Sequence, residues 1–232
     1  MNNIEKQIAL VSLENAIIQR GGETLLSVPN FSILPNEFVV VSGKMGSGKS
    51  SLMQVLYGEL AVFQGLAWVL QFNLLMLNPM LKAMLRRQLG LIMPKFGLLP
   101  QYNLYEQLQL QLQAIGWTDE TAVAAAIKNA TEYAEISSKN YAPLAILSRR
   151  EQAQAVLARA IVAAPQIILA DDFLQGHSHE DQIFLLTKLY HLSQNANCSV
   201  ICFTQQEAWR EVCPNARVYD CKDGVVAASR LW

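Results

Sequence analysis

The chain has 232 residues, a length that suits one domain or a core carrying one inserted subdomain. Apolar residues make up 52% and charged residues only 16%, so a large core can form with apolar material left for a contact face. A formal net charge of −1 argues against the basic footprint of a nucleic-acid binder or a polybasic membrane binder.

In chain order, the start "MNNIEKQIAL" carries no apolar stretch after its lysine, and no signal peptide is expected. "IALVSLENAII" and "TLLSVPNFSIL" read as strands parted by a turn at "RGGE". "EFVVVS" is a continuous apolar run ending in a glycine loop, the pattern of a buried parallel strand. "KSSLMQVLYGEL" then takes helical spacing through Leu52, Val55 and Leu56. Residues 65 to 85 are long enough to test as a membrane span. Gln71, Asn73, Asn78, Pro79 and Lys82 interrupt them, so a strand, a turn at Asn78-Pro79 and a short helix are expected instead.

From Pro94 to Leu147 the strand signal fades. Leu104, Leu108, Leu112 and Ile115 form one helical stripe ending at Gly116. A second helix is expected to start from a Thr118 cap with two acids in its first turn. The final third alternates again: a helix from "SRREQ", a buried strand "QIILADD", a helix from "HEDQIF", a buried strand "CSVICFT" and a hairpin around Asp223-Gly224. Four cysteines, Cys198, Cys202, Cys213 and Cys221, read as buried free thiols, because CxxC zinc spacing is missing. His177 and His179 read as solvent-exposed loop residues. The fold class is therefore α/β, with a mostly parallel sheet, an antiparallel N-terminal part and an inserted helical subdomain. The expected division is a core over 1–93 and 147–232 and a helical subdomain over 94–146.

The chemistry is concentrated in one loop. Gly43, Gly48, Lys49 and Ser50 satisfy the phosphate-loop spacing G-x-x-x-x-G-K-[ST]. Glycines let backbone N–H groups close on phosphate oxygens, and the helix N-terminus that follows adds partial positive charge. The expected cradle runs through Gly43, Lys44, Met45, Gly46, Ser47, Gly48, Lys49, Ser50 and Ser51. Lys49 reaches the β- and γ-phosphates of ATP, and Ser50 with Asp171, at the end of "IILAD", holds Mg²⁺.

This order of parts resembles the ABC-type ATPases, and within them the FtsE ATPases of bacterial cell division. "GKMGSGKSSLMQVLYGEL", "LRRQLGLI" and "LARAIVAAPQIILAD" carry the likeness. The resemblance implies one nucleotide-binding domain over 1–232, working as a homodimer or heterodimer with ATP between one chain's phosphate loop and the other's signature motif. It also implies an FtsX-like integral membrane partner, which would place the chain in the cytoplasm at the inner face of the cell membrane. A contact for that partner would fall on Phe96, Leu98, Leu99, Tyr102 and Tyr105.

Several positions depart from the pattern of that family. The signature Leu-Ser-Gly-Gly-Gln or -Glu is Leu147-Ser148-Arg149-Arg150-Glu151 here, with Ser148 the retained phosphate contact. Ser148 and Glu151 equally spell a helix capping box. The water-polarising glutamate falls on Asp172, a methylene shorter, and a displacement of about 1 Å can cost about 100-fold in rate. The histidine falls on Gln205, which cannot become cationic. The Q-loop glutamine falls on Pro94, the D-loop aspartate near Ser178 and the adenine-stacking aromatic near Ile17. The expected activity is thus MgATP binding with weak or absent hydrolysis. A working ATPase with relaxed motifs, using Asp172 and Gln205, and a nucleotide-independent scaffold are the alternatives.

Overall fold

The computed structural model describes residues 9–93 and 98–229. Among the described residues, ten strands form one sheet in the order β5 (Phe72–Asn73), β4 (Val62–Val69), β1 (Val11–Arg20), β2 (Glu23–Ile33), β10 (Val225–Ala228), β9 (Arg217–Lys222), β3 (Phe38–Ser42), β8 (Ser199–Thr204), β7 (Ile167–Asp171) and β6 (Leu89–Ile92). Two long antiparallel strands come first, β1 (Val11–Arg20) and β2 (Glu23–Ile33), turning through Gly21 and Gly22 at positive φ. β3 (Phe38–Ser42) pairs in parallel with β8 (Ser199–Thr204) and β9 (Arg217–Lys222). β8 pairs in parallel with β7 (Ile167–Asp171), and β7 with β6 (Leu89–Ile92). The mixed sheet agrees with the expected α/β class.

The strand period of two sorts the parallel strands between two cores. Val39 and Val41 of β3 join Ile201 and Phe203 of β8 beneath α1 (Lys49–Leu56), together with the inward faces of β1 and β2. Phe38 and Val40 face the other way, with Val200 and Cys202, onto α5 (Arg149–Ile161) and α6 (His179–Asn195). A continuous apolar strand is required where both faces are covered, which is why "FVVVS" shows no alternation.

Residues 62–86 follow the predicted break-up. β4 (Val62–Val69) pairs with β1, and β5 (Phe72–Asn73) with β4. Asn78 caps α2 (Pro79–Arg86), accepting from the Leu81 N–H at 2.9 Å, with Pro79 in the first turn. Among the described residues, no helix is long and apolar enough to cross a membrane. Gly65 in β4 has φ +100, and a Cβ there would lie 2.3 Å from the Asn15 carbonyl oxygen. Gly65→Ala should therefore destabilise the chain by about 2–4 kcal/mol, from backbone strain plus a clash with a partner strand that cannot yield. Denaturant unfolding at unchanged slope checks this.

The helical part contains α3 (Leu104–Ala114) and α4 (Glu120–Tyr133). Leu104, Leu108 and Leu112 are fully buried, and Gly116 follows at φ +101. One detail corrects the sequence reading: Asp119, not Thr118, caps α4. Its carboxylate accepts from the N–H groups of Thr121 and Ala122 at 2.8 and 3.1 Å, two orphan donors that a single hydroxyl meets less well. A short α7 (Trp209–Val212) precedes β9, and β10 (Val225–Ala228) closes the hairpin through Asp223 and Gly224, both at positive φ. All four cysteines are buried and free.

Candidate phosphate-binding site

The parallel strands β3, β7 and β8 end side by side, with Ser42 opposite Thr204 and Asp171 opposite Phe203. The chain leaves β3 through residues 43–48 and enters α1 at Lys49. Two of the glycines are demanded by their surroundings. At Gly43 a Cβ would stand 2.3 Å from the Cys221 carbonyl oxygen and 2.6 Å from Ser47 Oγ. At Gly48, φ is +111 and a Cβ would meet Leu26 Cδ1 at 2.8 Å. The β9–β10 hairpin backs the loop, with Cys221 Sγ and the Gly224 N–H both donating to the Ser47 carbonyl, at 3.1 and 3.3 Å.

Lys49 is 4% exposed, and its Nζ donates to the carbonyls of Gly43 and Lys44 at 2.8 and 3.0 Å. The cation is thus folded over the mouth of its own loop. Asp171 is 5% exposed, and its Oδ1 is buried without a hydrogen-bond partner. Burial pushes its carboxyl pKa up; the Ser50 hydroxyl bonded to it pulls back down, Asp172 pushes up again and Lys49 lowers it. Ser47 Oγ is likewise buried and unpartnered. A cavity of about 230 Å³ lies here, lined by Leu25, residues 45–51, Asp172 and Gly224.

Buried polar atoms without partners mark a place built for something else to complete. An anion seated among the loop N–H groups would take over Lys49 and Ser47. Ser50 and Asp171 would hold a hard cation, which prefers oxygen ligands and would satisfy the orphan carboxylate oxygen. The donor set fits Mg²⁺.

Of the predicted residues, the structure brings together Gly46 to Ser51, Met45, Asp171 and Asp172; Gly43 and Lys44 hold Lys49 from behind. Asp172 is half-buried at φ +43, its N–H donating to the Phe203 carbonyl at 2.9 Å and its own carbonyl accepting from Gln175 at 3.2 Å. Gln205 is exposed, just beyond β8, and does not line the cavity. Ser148 lies apart, exposed at the start of α5. It accepts from the Glu151 N–H at 3.3 Å while its own N–H donates to Glu151 Oε2 at 2.8 Å, a complete capping box. Those contacts with Ser148, and then Lys139 at 3.2 Å, hold the Glu151 carboxyl below its usual pKa. Ile17 pairs with Ser27 and Gln64 in the sheet; Leu25 and Met45, aliphatic rather than aromatic, line the cavity. Pro94 lies outside the described residues, as does Phe96.

Two features escaped the sequence. A second cavity of about 710 Å³ opens between the ends of β6 and β7 and the helices α5 and α6; Asp172 lines it too, with Arg149, Gln152 and His177. His177 is not a solvent-exposed loop residue: it is half-buried, its Nδ1 is enclosed without a partner, and burial, then the Arg149 charge, lower its pKa against the pull of Asp181. Nothing local in "GHSHED" signals this, since Arg149, whose charge acts on it, comes from α5.

The family described as ABC transporter matches residues 26–175. The cell division ATP-binding protein FtsE of Streptococcus pneumoniae is 29% identical over 151 residues, 65% of this chain and 65% of FtsE. The zinc import ATP-binding protein ZnuC of Mannheimia succiniciproducens is 26% identical over 196 residues, 84% of this chain and 66% of ZnuC. The methionine import ATP-binding protein MetN 2 of Paraburkholderia xenovorans is 26% identical over 202 residues, 87% of this chain and 52% of MetN 2. The matched stretch thus spans between half and two thirds of the length of these relatives. Among solved structures, cbiO1 of Clostridium perfringens superposes with a TM-score of 0.85 at 19% identity, covering 95% of this chain and 87% of cbiO1. A dimeric post-hydrolysis state of the ATP-binding cassette MJ0796, bound to ADP and Pi, gives 0.78 at 23% identity, covering 96% of this chain and all (100%) of that one. Both likenesses are of fold.

Proposed function

The chain belongs to the ABC transporter family, and on that premise we propose that it is a nucleotide-binding subunit that takes MgATP in its phosphate loop and hydrolyses it weakly or not at all. The observation that carries the reading is the pairing of a buried Lys49, held at the mouth of the loop, with a buried Asp171 whose Oδ1 has no partner. Bound Mg²⁺ would neutralise phosphate charge. Ser50 and Asp171 would hold it, while Lys49 and the loop N–H groups grip the phosphates. Low turnover rests on the shorter reach of Asp172, the exposure of Gln205, and a Ser148 already engaged with Glu151 rather than open to a second chain's nucleotide. The altered signature, with Arg149 and Arg150 in place of two glycines, supports the same reading.

By this proposal the chain acts as a homodimer or heterodimer on an integral membrane protein, at the inner face of the cell membrane. An FtsX-like partner is favoured by the FtsE likeness, while ZnuC and MetN 2 are of comparable similarity. Leu99 is exposed beside the helical part, and Tyr105 stacks on the exposed Tyr141 at 5.5 Å, which suits such a contact. A second reading, a slow but working ATPase, draws on the place of Asp172 in the wall of the phosphate cavity. Calorimetric ATP titration and phosphate release on one preparation separate them. Saturable, Mg²⁺-dependent binding is expected, with turnover below about 0.1 s⁻¹, some 100-fold under a typical enzyme. Faster release, lost in Asp172→Asn, would favour the second reading; no binding would reject both.

A further inference from the structure

Arg149 and Arg150 open α5, and both guanidinium groups engage their own chain. The Arg149 group lies against the backbone of Gly176, where a Cβ would stand 2.5 Å from Nη2 and 3.1 Å from Cζ. With φ at +78, position 176 has a conformational reason to be glycine, and the guanidinium packs where the missing side chain leaves room. Arg150 Nη1 donates to Asp181 Oδ1 at 3.1 Å and stands 3.7 Å from Glu180, while its Cζ lies 4.7 Å above the Phe184 ring. Asp181 in turn accepts from Ser178 Oγ at 2.9 Å, at the cap of α6.

The link continues along α6. Lys188 pairs with Glu135 at 2.7 Å and stands 5.5 Å from the Phe184 ring and 5.2 Å from that of Tyr133, whose hydroxyl donates to the Lys188 carbonyl at 2.6 Å. Cation and ring therefore alternate from Arg150 through Phe184 and Lys188 to Tyr133, with Phe184 and Lys188 four residues apart on α6 and the end members supplied by α5 and α4. This ladder joins α4 and α5 to the core helix α6. Between its upper end and β7 runs the loop 172–178, with Asp172 at one end in the wall of the phosphate cavity and Ser178 at the other.

We propose that Arg149 and Arg150 are positioning residues acting within their own chain: they tie the 172–178 loop, and with it Asp172, to the placement of α4 and α5, so that a displacement of those helices is felt at the phosphate cavity. The regulatory meaning rests on the MgATP reading above; the mechanical link does not.

Amide hydrogen exchange on the nucleotide-free full chain tests the link. Arg149→Ala and Arg150→Ala are each expected to speed exchange across 173–178 by at least about tenfold, with β7 and β8 unchanged. Arg150→Lys, which keeps the ion pair and the ring contact, should recover most of the protection. Unchanged exchange in the loop would overturn the proposal. So would equal acceleration in β7 and β8, which would mean that the side chains only stabilise the fold. A second comparison adds MgATP. In the native chain exchange should slow at both the phosphate loop and 173–178, and in Arg149→Ala at the phosphate loop alone; slowing at both in the variant also overturns the proposal. Slowing at neither in the native chain would reject the nucleotide reading, while the first comparison still decides the link.

Discussion

Lys49→Ala should weaken MgATP binding by at least about 100-fold. The ammonium is buried, and it satisfies the carbonyls of Gly43 and Lys44. When phosphate enters, the same donors can turn to its oxygens with no change in burial, so the site is preorganised around a charge already desolvated. Hydrogen bonds to charged groups contribute about 1.5–3 kcal/mol each, and two of them correspond to a factor of about 100 to 10,000 in affinity. The variant also leaves two loop carbonyls without their donor, costing about 1–2 kcal/mol of stability in the nucleotide-free chain. Arginine should not rescue binding, because its planar fork presents its donors in a different geometry from the compact ammonium. Calorimetric titration of native, Lys49→Ala and Lys49→Arg chains checks this; an alanine variant within threefold of native affinity would remove the basis of the nucleotide assignment.

The cradle was legible because its chemistry is local. Glycine at 43 and 48, lysine at 49 and serine at 50 must follow one another for a loop to wrap an anion, and the apolar run of β3 before them fixes where that loop sits. Asp171 was legible for a related reason: a parallel strand buried on both faces reads as an apolar run, and a carboxylate ending it stands out. The stripe of α3 and the capping box of α5 are likewise short-range patterns. Other features arise between distant segments. Arg149 lies against Gly176, yet each alone looks unremarkable, an arginine in a helix first turn and a glycine in a loop. His177 is half-buried and feels the charge of Arg149 from α5, neither of which its sequence context shows. Asp172 sits at φ +43, which aspartate tolerates better than most residues, so nothing in the residue type announces the turn. The cap of α4 was misplaced by one residue because Thr118 and Asp119 are both good caps, and only the number of N–H groups each can reach decides between them.

Asp171→Asn should have opposite effects on stability and on binding, which makes it the sharper probe of the metal position. Burial raises the folded-state pKa of Asp171 above its unfolded value, the Ser50 hydroxyl opposing the shift, Asp172 adding to it and Lys49 opposing it. An acid shifted upwards contributes its full stability at low pH, where it is protonated in both states. That contribution is lost as pH rises through the folded pKa, so towards higher pH the buried, unpartnered carboxyl is a net cost. The amide has nearly the same shape without the charge. The nucleotide-free variant should therefore melt about 2–4 °C above the native chain at neutral pH, for a gain of about 1 kcal/mol, and the difference should vanish in acid. In exchange, the variant loses the anionic oxygen that a hard cation needs. Mg²⁺ is expected to raise ATP affinity about tenfold or more in the native chain and less than about twofold in the variant, as a charge-assisted metal contact disappears. The trade is characteristic of a functional site, where a group unfavourable to the folded chain is retained for what it binds. Melting curves over a pH series and titrations with and without Mg²⁺ measure both halves. A variant that melts below the native chain at neutral pH, or one that keeps the native Mg²⁺ dependence, would show that Asp171 is held in place by the fold and not by the metal.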